Sequence, residues 1–183
     1  MVAASDSGQP ADPGRLGVLL RSLEAYRSAR MRLLETLGLA VSNRDPLAEF
    51  SEHLVHALLG GQLAESRIQK GYDLIAPSGE RVQVRYLANP GSARWVNEHH
   101  VRCGPDCDRY ALVLYESFTP AGVLVFPQAL TAIGAALGKS HPEQETNLQL
   151  TRANYLMVRQ HPDQFREMGM QVWPAPFTQG MPG

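Results

Sequence analysis

The sequence predicts an α/β domain in which a mixed central sheet of about four strands is flanked by helices. Helical apolar patterns lie towards both ends of the chain, and segments rich in β-forming residues lie between them. Within that middle part, residues 109–116 form a nearly continuous apolar run, which is typical of a buried central strand. The chain of 183 residues is long enough for one domain with a sizeable core. We therefore expect a single domain over residues 15–173.

Two helices are expected ahead of the sheet. The first covers about residues 16–37, where apolar residues recur at helical spacing and arginines dominate the opposite face. That basic face is either solvated or contacts phosphate groups. The second covers about residues 45–59, from an Asp-Pro start to a Gly-Gly stop, and carries Glu49 next to its apolar side. The apolar stripe of the first helix comprises Leu19, Leu20, Leu23, Tyr26, Met31, Leu33 and Leu34.

A tight turn joins two short strands near the middle of the chain. Residues 72–76 and 81–87 have β character, and the Pro-Ser-Gly-Glu sequence between them supplies a preset φ and a glycine that accepts positive φ. Because side chains alternate along a strand, Gln83 and Arg85 share one face. If that face meets Asp73, a carboxylate, an amide and a cation converge. A plain cross-strand ion pair between Asp73 and Arg85 is the structural alternative.

Strands and helices alternate beyond this hairpin. Residues 88–108 show no periodicity, and long irregular segments in compact domains are uncommon and often functional. Residues 1–14 and 174–183 are expected to be a disordered lead-in and a flexible tail. The remaining expected elements are strands at 109–116 and 123–126, helices at 128–137, 148–160 and 162–168, and a short extended piece at 172–173.

The first candidate site is the cluster of Asp73, Gln83 and Arg85, with Glu49 on the preceding helix. Hard oxygen ligands suit a magnesium-type ion, and a nearby cation stabilises the negative charge of a phosphate. Metal-assisted cleavage of a phosphodiester bond requires these types of residue at one point. We therefore take Glu49, Asp73, Gln83 and Arg85 as the candidate catalytic residues.

The run GYDLIAPSGERVQVR resembles the PD-(D/E)xK, or restriction-endonuclease-like, nuclease superfamily. In that superfamily a helix Glu precedes an Asp at the start of one strand, and an (E/D/Q)-x-K motif follows on the next. The matching residues are Glu49, Asp73 and Gln83-Val84-Arg85, within a similar region of about residues 45–137. The core order of the superfamily is a helix, a three-stranded meander, a further strand and a helix. Arg85 stands where the superfamily has Lys, and Gln83 where it more often has an acidic residue.

The resemblance implies a restriction-endonuclease-like core and Mg-dependent cleavage of DNA in restriction or defence. It implies that Glu49, Asp73, Gln83 and the carbonyl oxygen of Val84 hold the metal, and that Arg85 stabilises charge on the scissile phosphate. A homodimer or a partner recognition subunit is expected for duplex cutting. The alternatives are the same fold binding nucleic acid or a partner protein without cleavage, and a helical interaction protein. The candidate DNA-binding residues are Arg67, Lys70, Arg81, Arg94, His99 and His100.

A second candidate site is the group of His99, His100, Cys103 and Cys107, which lie within nine residues. The spacing argues against a structural zinc at His99, Cys103 and Cys107, because such sites usually pair closely spaced ligands across a longer loop. Adjacent histidines also point apart in extended backbone. We expect loop histidines that contact phosphate or assist proton transfer, and two free thiols.

Several classes of protein are disfavoured by composition and motifs. The net charge of −1 excludes a strongly basic overall field, so any contact with nucleic acid depends on a local patch. No apolar run approaches the roughly 20 residues of a membrane span, and the first residues do not resemble a signal peptide. The sequence contains no Gly-x-Ser-x-Gly nucleophile motif and no Gly-rich phosphate loop in a strand–helix context. A cytoplasmic protein without membrane association is expected.

Overall fold

The computed structural model describes residues 13–39, 44–64, 71–139 and 141–177. Within the chain, contacts define two compact units, Met1–Pro46 and Leu47–Gly183. The candidate DNA-binding residues Arg67 and Lys70 lie outside the described residues, as do residues 1–12 of the expected lead-in and 178–183 of the expected tail.

The secondary structure is α/β, and its strands form a six-stranded mixed sheet and a separate two-stranded one. In chain order the elements are α1 (Pro13–Thr36), α2 (Pro46–Leu59), β1 (Gln62–Leu63), β2 (Leu74–Ile75), β3 (Arg81–Asn89), β4 (His99–Val101), β5 (Arg109–Glu116), β6 (Thr119–Pro127), α3 (Thr131–Ala136), β7 (Leu148–Leu150), α4 (Arg152–Gln160), α5 (Pro162–Glu167) and β8 (Gln171–Pro174), with a short 3-10 turn at Pro142–Glu145.

The first unit contains α1, which confirms the predicted helix but begins three residues before its predicted start, within the expected lead-in, and ends one residue before its predicted end. Part of its apolar stripe is nevertheless exposed to solvent, whereas Leu34 near its end is buried. None of the helices among the described residues, α1 included, combines the length and apolar character needed to cross a membrane. The apolar pattern therefore predicted the helix but did not predict which of its residues are buried. The large apolar residues of α1 that are more than half exposed are Val18, Leu19, Leu20, Leu23 and Tyr26.

The second unit is built on the six-stranded sheet, in the order β1-β2-β3-β5-β6-β8. The strands β1, β2 and β3 form an antiparallel meander. The strand β5 runs parallel to β3, with Gln83 opposite Tyr110, and β6 and β8 add antiparallel neighbours. The predicted turn between β2 and β3 is confirmed, since Gly79 has a φ of 86° and its N–H donates to Ala76 O at 2.9 Å.

Helices cover both faces of this sheet, which gives the layered architecture predicted for an α/β domain. On one face, Val55 of α2 packs in a cluster with Val82 and Val84 of β3. On the other face, Leu112 of β5 packs in a cluster with Phe165 of α5 and with residues of α4. Each fully buried apolar side chain contributes on the order of 1.5–3 kcal/mol to stability. Successive residues of β3 and β5 alternate between the two clusters, and their burial fixes which face of the sheet each side chain occupies.

The chain has more strands than the sequence predicted, because three short strands were missed: β1 at the edge of the six-stranded sheet, and β4 and β7, which pair with each other in the separate sheet. The strand β1 falls in the expected connector at residues 62–69, and β4 falls in the expected irregular segment at 88–108. The strand β7 begins where a helix over 148–160 was expected. That helix starts later because Thr151 and Asn154 form a capping box, with Thr151 N–H donating to Asn154 Oδ1 at 3.1 Å. Strands of two or three residues carry too few side chains to show a period.

The helix expected at 128–137 is shorter than predicted, since α3 covers only Thr131–Ala136. The helix expected at 162–168 and the extended piece at 172–173 are confirmed by α5 and β8.

Candidate functional site

Asp73 lies immediately before β2 and is held by the backbone of β3. Its N–H donates to Val82 O at 2.8 Å, and its Oδ2 accepts the N–H of Val84 at 2.7 Å. The next side chain, Leu74, packs in the cluster under α2. Because successive side chains alternate, Asp73 lies on the opposite face from α2. Its carboxylate is therefore fixed in place, and its side chain remains 20% exposed.

Arg85 lies beside this carboxylate, as the hairpin pattern predicted. Its Nη1 is 3.4 Å from Asp73 Oδ2 and donates to Val84 O at 2.7 Å. The guanidinium thus lies between two oxygen atoms that the sequence nominated as metal ligands. The Arg85 side chain is 49% exposed, and an ion pair at this exposure contributes only about 0–1 kcal/mol. The arrangement is therefore held more by the backbone contacts of Asp73 than by the ion pair.

Gln83 shares the face of Arg85, because the two residues are separated by one position along β3. Its backbone N–H lies close enough to the Cys107 thiol to help lower the pKa of that group. In the parallel register of β3 and β5, Gln83 lies directly opposite Tyr110. The side chains of Asp73, Gln83 and Arg85 consequently belong to one face of the sheet.

Glu49 occupies the first turn of α2 and is 1% exposed. The helix α2 packs on the face of the sheet formed by Val82 and Val84. The side chains of Gln83 and Arg85 lie on the other face. The structure therefore groups three of the four candidate catalytic residues and leaves Glu49 on the helix that covers the opposite side.

Tyr110 is part of this cluster, although the sequence did not nominate it. Its Oη lies 2.7 Å from Nε2 of His99. Burial raises the pKa of Tyr110 to about 12. Burial, together with the nearby charges of His100 and Arg85, lowers the pKa of His99. A neutral imidazole and a neutral phenol are therefore hydrogen-bonded near Arg85 at neutral pH.

Tyr110 begins an apolar run, and so its sequence context is typical of a core residue. The one signal that could have found it is the parallel pairing of β3 with β5, which aligns it with Gln83. That pairing follows from tertiary structure rather than from local pattern.

Arg81, a candidate DNA-binding residue, is instead engaged by carboxylates. Its Nε donates to Asp108 Oδ2 at 3.0 Å, and its Nη1 reaches Asp106 Oδ1 at 3.5 Å. The same Asp108 oxygen accepts the backbone N–H of Arg81 at 2.8 Å. The hydrogen bond to Asp108 raises the pKa of Arg81, and the contact lowers the pKa of Asp108. Arg81 therefore ties β3 to the segment before β5, and its charge is largely offset.

The other described DNA-binding candidates lie at the surface or at its edge. Arg94 is exposed. His100 is exposed, and its Nδ1 lies 3.2 Å from Asn147 Oδ1. His99, by contrast, is half-buried against Tyr110. The adjacent histidines thus have different partners, as expected for neighbouring residues of a strand.

Cys103 and Cys107 are both free thiols with their Sγ atoms 2.9 Å apart. Among the residues that the structure describes, no group of three or more His, Cys, Asp or Glu side chains is arranged to hold a metal ion. The set around Asp73 is of a different kind, because it combines one carboxylate with the amide of Gln83 and the carbonyl of Val84.

Comparison of the chain with models of known protein families and with curated protein sequences finds no match.

Proposed function

We propose that this chain is a metal-dependent endonuclease-like protein that acts on DNA phosphodiester bonds, in restriction or defence. The observation that carries the proposal is the meeting of the Asp73 carboxylate, the Val84 carbonyl and the Arg85 guanidinium, with Arg85 Nη1 within 3.4 Å of both oxygens. A carboxylate and a carbonyl suit a hard cation, and a guanidinium suits a phosphate. Together these groups match the chemistry of a phosphodiester with its counter-ion.

The order of the elements supports the same proposal. The helix α2 leads into the antiparallel meander β1-β2-β3, and β5 then follows parallel to β3. This matches the helix, three-stranded meander and further strand of the order that the resemblance implies, although β6 intervenes before the next helix, α3. Asp73 lies immediately before β2 and the Gln83-Val84-Arg85 motif lies on β3, as in the superfamily pattern that the resemblance implies.

In this proposal Asp73, Gln83 and the Val84 carbonyl would hold Mg²⁺. Glu49, which the resemblance also implies as a ligand, is buried on the helix that covers the opposite face of the sheet. The donor set fits a hard cation on condition that Arg85 moves, because Arg85 Nη1 lies between the Asp73 and Val84 oxygens. A side chain that is 49% exposed is free to rotate towards a phosphate. When bound, the metal would supply charge stabilisation and an acidified water.

The other roles in the proposed reaction belong to Arg85 and His99. Arg85 donates charge-assisted hydrogen bonds to the phosphate and stays protonated at any relevant pH, so it cannot relay a proton. His99 is neutral at neutral pH because burial lowers its pKa. It is therefore one group near Arg85 that can accept a proton, and its 2.7 Å hydrogen bond with Tyr110 fixes its orientation.

A second candidate function is a nuclease-fold module that binds DNA or a partner protein without cleavage. The position of Arg85 between the Asp73 and Val84 oxygens favours it, because a guanidinium held there substitutes for a metal cation. In this alternative Asp73 has a structural role, holding the N–H of Val84, and the outer edge of Arg85 contacts phosphate.

Nicking of supercoiled plasmid in Mg²⁺, with EDTA as the metal-free control, distinguishes the two functions. We expect nicking by the wild type and its loss, by roughly 100-fold or more, in Asp73→Asn. Asp163→Asn is the matched control, since Asp163 also pairs with an arginine, Arg166, at 2.7 Å but is 87% exposed. Nicking by Asp73→Asn at the wild-type rate would contradict a role for Asp73. Binding of DNA without nicking by the wild type would favour the second function.

A further inference from the structure

Cys103 and Cys107 flank the tight turn that leads into β5. The backbone N–H of Cys107 donates to Gly104 O at 3.2 Å, which closes the turn. The two Sγ atoms lie 2.9 Å apart, and both thiols are free. A disulfide bond is about 2.05 Å long, so bond formation requires the sulfurs to approach by less than about 1 Å.

The two thiols differ in their surroundings. Cys107 is fully buried, whereas Cys103 is partly exposed. The Cys107 thiol donates to Arg109 O at 2.9 Å and lies against Cys103 Sγ. Cys103 is therefore open to a small oxidant from solvent, with Cys107 Sγ directly beside it.

We propose that Cys103 and Cys107 form a reversible intrachain disulfide, so that the turn before β5 is a redox-modification site of this protein. With hydrogen peroxide as the oxidant, the two S–H bonds break and one S–S bond forms. Two electrons pass to the peroxide, whose O–O bond breaks, and the two thiol hydrogens leave in two molecules of water. A dithiol reductant reverses the reaction by thiol–disulfide exchange.

The turn is connected directly to the strand that carries the candidate site. Cys107 contacts the backbone of Gln83, and its neighbours Asp106 and Asp108 pair with Arg81. Formation of the disulfide removes the Cys107 S–H donor from Arg109 O and fixes the turn against the start of β3. This modification is independent of the proposed nuclease function, because it requires neither metal nor DNA.

The test is a thiol count and an intact mass of the full chain before and after a brief exposure to hydrogen peroxide. We expect both thiols to be lost together under denaturing conditions, a monomer lighter by the mass of two hydrogen atoms, and full recovery with dithiothreitol. Cys103→Ser, which changes the partly exposed thiol, must retain one thiol and must not show the loss of two hydrogens. These readouts do not depend on cleavage, so they succeed or fail separately from the nicking assay.

Three results would overturn the proposal. The oxidised wild type could keep both thiols, could gain oxygen atoms on each cysteine separately, or could form chiefly disulfide-linked dimers on a non-reducing gel. Because the main measurement uses the wild-type chain, the proposal stays testable even if Cys107→Ser does not fold. A fragment carrying residues 103 and 107 joined by the disulfide, identified after proteolysis without reductant, would establish the pairing.

Discussion

Arg85 Nη1 lies 3.4 Å from Asp73 Oδ2, yet it makes a shorter hydrogen bond, of 2.7 Å, to the carbonyl oxygen of Val84. The same Asp73 oxygen accepts the N–H of Val84 at 2.7 Å. The peptide groups on both sides of Val84 are thus engaged by one carboxylate and one guanidinium. This relationship holds the candidate site together, and it also puts a cation where the proposed metal ion would lie.

We expect Arg85→Lys to raise Mg²⁺-dependent nicking by roughly tenfold or more, because lysine restores the superfamily motif and an ammonium can take part in proton transfer. A lysine ammonium also contacts fewer acceptors than a guanidinium does, and this leaves the Asp73 and Val84 oxygens more accessible. The measurement is the initial nicking rate in Mg²⁺ and in EDTA.

Arg166→Lys is the matched control for that change. Arg166 contacts the Asp163 carboxylate at 2.7 Å and the Val172 carbonyl at 2.8 Å, so it has the same two kinds of partner as Arg85. If Arg85→Lys nicks DNA no faster than Arg166→Lys, then the arginine at position 85 does not weaken a metal site.

We expect Asp73→Ala to lower the free energy of unfolding by about 1–3 kcal/mol, because it leaves the N–H of Val84 without its acceptor in a strand where Val84 is buried. Asp73→Asn keeps an oxygen acceptor and should cost less. Urea denaturation of both variants measures the difference. Equal losses in the two variants would mean that the carboxylate charge, rather than the hydrogen bond, stabilises the hairpin.

We expect His99 to make stability depend on pH in mildly acidic solution. Burial lowers its pKa in the folded state, so the unfolded chain binds the proton more readily. The stability that neutral His99 contributes is therefore fully present above the pKa of histidine in the unfolded chain, about 6.5. It falls as the pH drops from that value towards the lower pKa of His99 in the folded state. His99→Gln keeps a partner for Tyr110 but does not titrate. Thermal unfolding of both proteins from pH 7.5 down to pH 5 should show a shallower decline for the variant.

The ion pair of Arg81 and Asp108 should give a second acid-sensitive contribution to stability. The hydrogen bond from Arg81 lowers the pKa of Asp108, so this contribution is present above the unfolded pKa of an aspartate and is lost as the pH falls through the lower folded value. Asp108→Asn should reduce stability at neutral pH and remove this part of the acid response. Asp163→Asn removes an ion pair within α5 and should change neither the stability at neutral pH nor the acid response appreciably. Identical acid unfolding of wild type and Asp108→Asn would contradict the assignment.

Leucines in α1 and in the sheet should respond very differently to truncation. Leu20 is 58% exposed, and Leu20→Ala should change stability by less than about 0.5 kcal/mol because alanine also favours a helix. Leu112 is fully buried in β5, and Leu112→Ala should cost about 2–5 kcal/mol. Thermal unfolding measures both. A large loss for Leu20→Ala would show that the exposed stripe of α1 is covered in solution.

Local pattern was sufficient for the hairpin and for the longer elements. The turn at Gly79 and the alternation along β3 brought Asp73 and Arg85 together as expected, because both depend only on neighbouring residues. The helix α1 and the central strand β5 were also predicted, since each is long enough to show a clear period. The resemblance to the nuclease superfamily depends on the same short stretch and stays a proposal.

The sequence by itself determined where the hairpin, the main helices and the polar side chains of β3 lie, because turn chemistry and side-chain alternation act over a few residues. Only the tertiary structure decided that α2 covers the face opposite Arg85, that Tyr110 lies beside Gln83, and that Arg81 is paired with Asp108. These relationships join residues that are far apart in the chain. They depend on strand register and on which face each element buries, and long-range packing sets both.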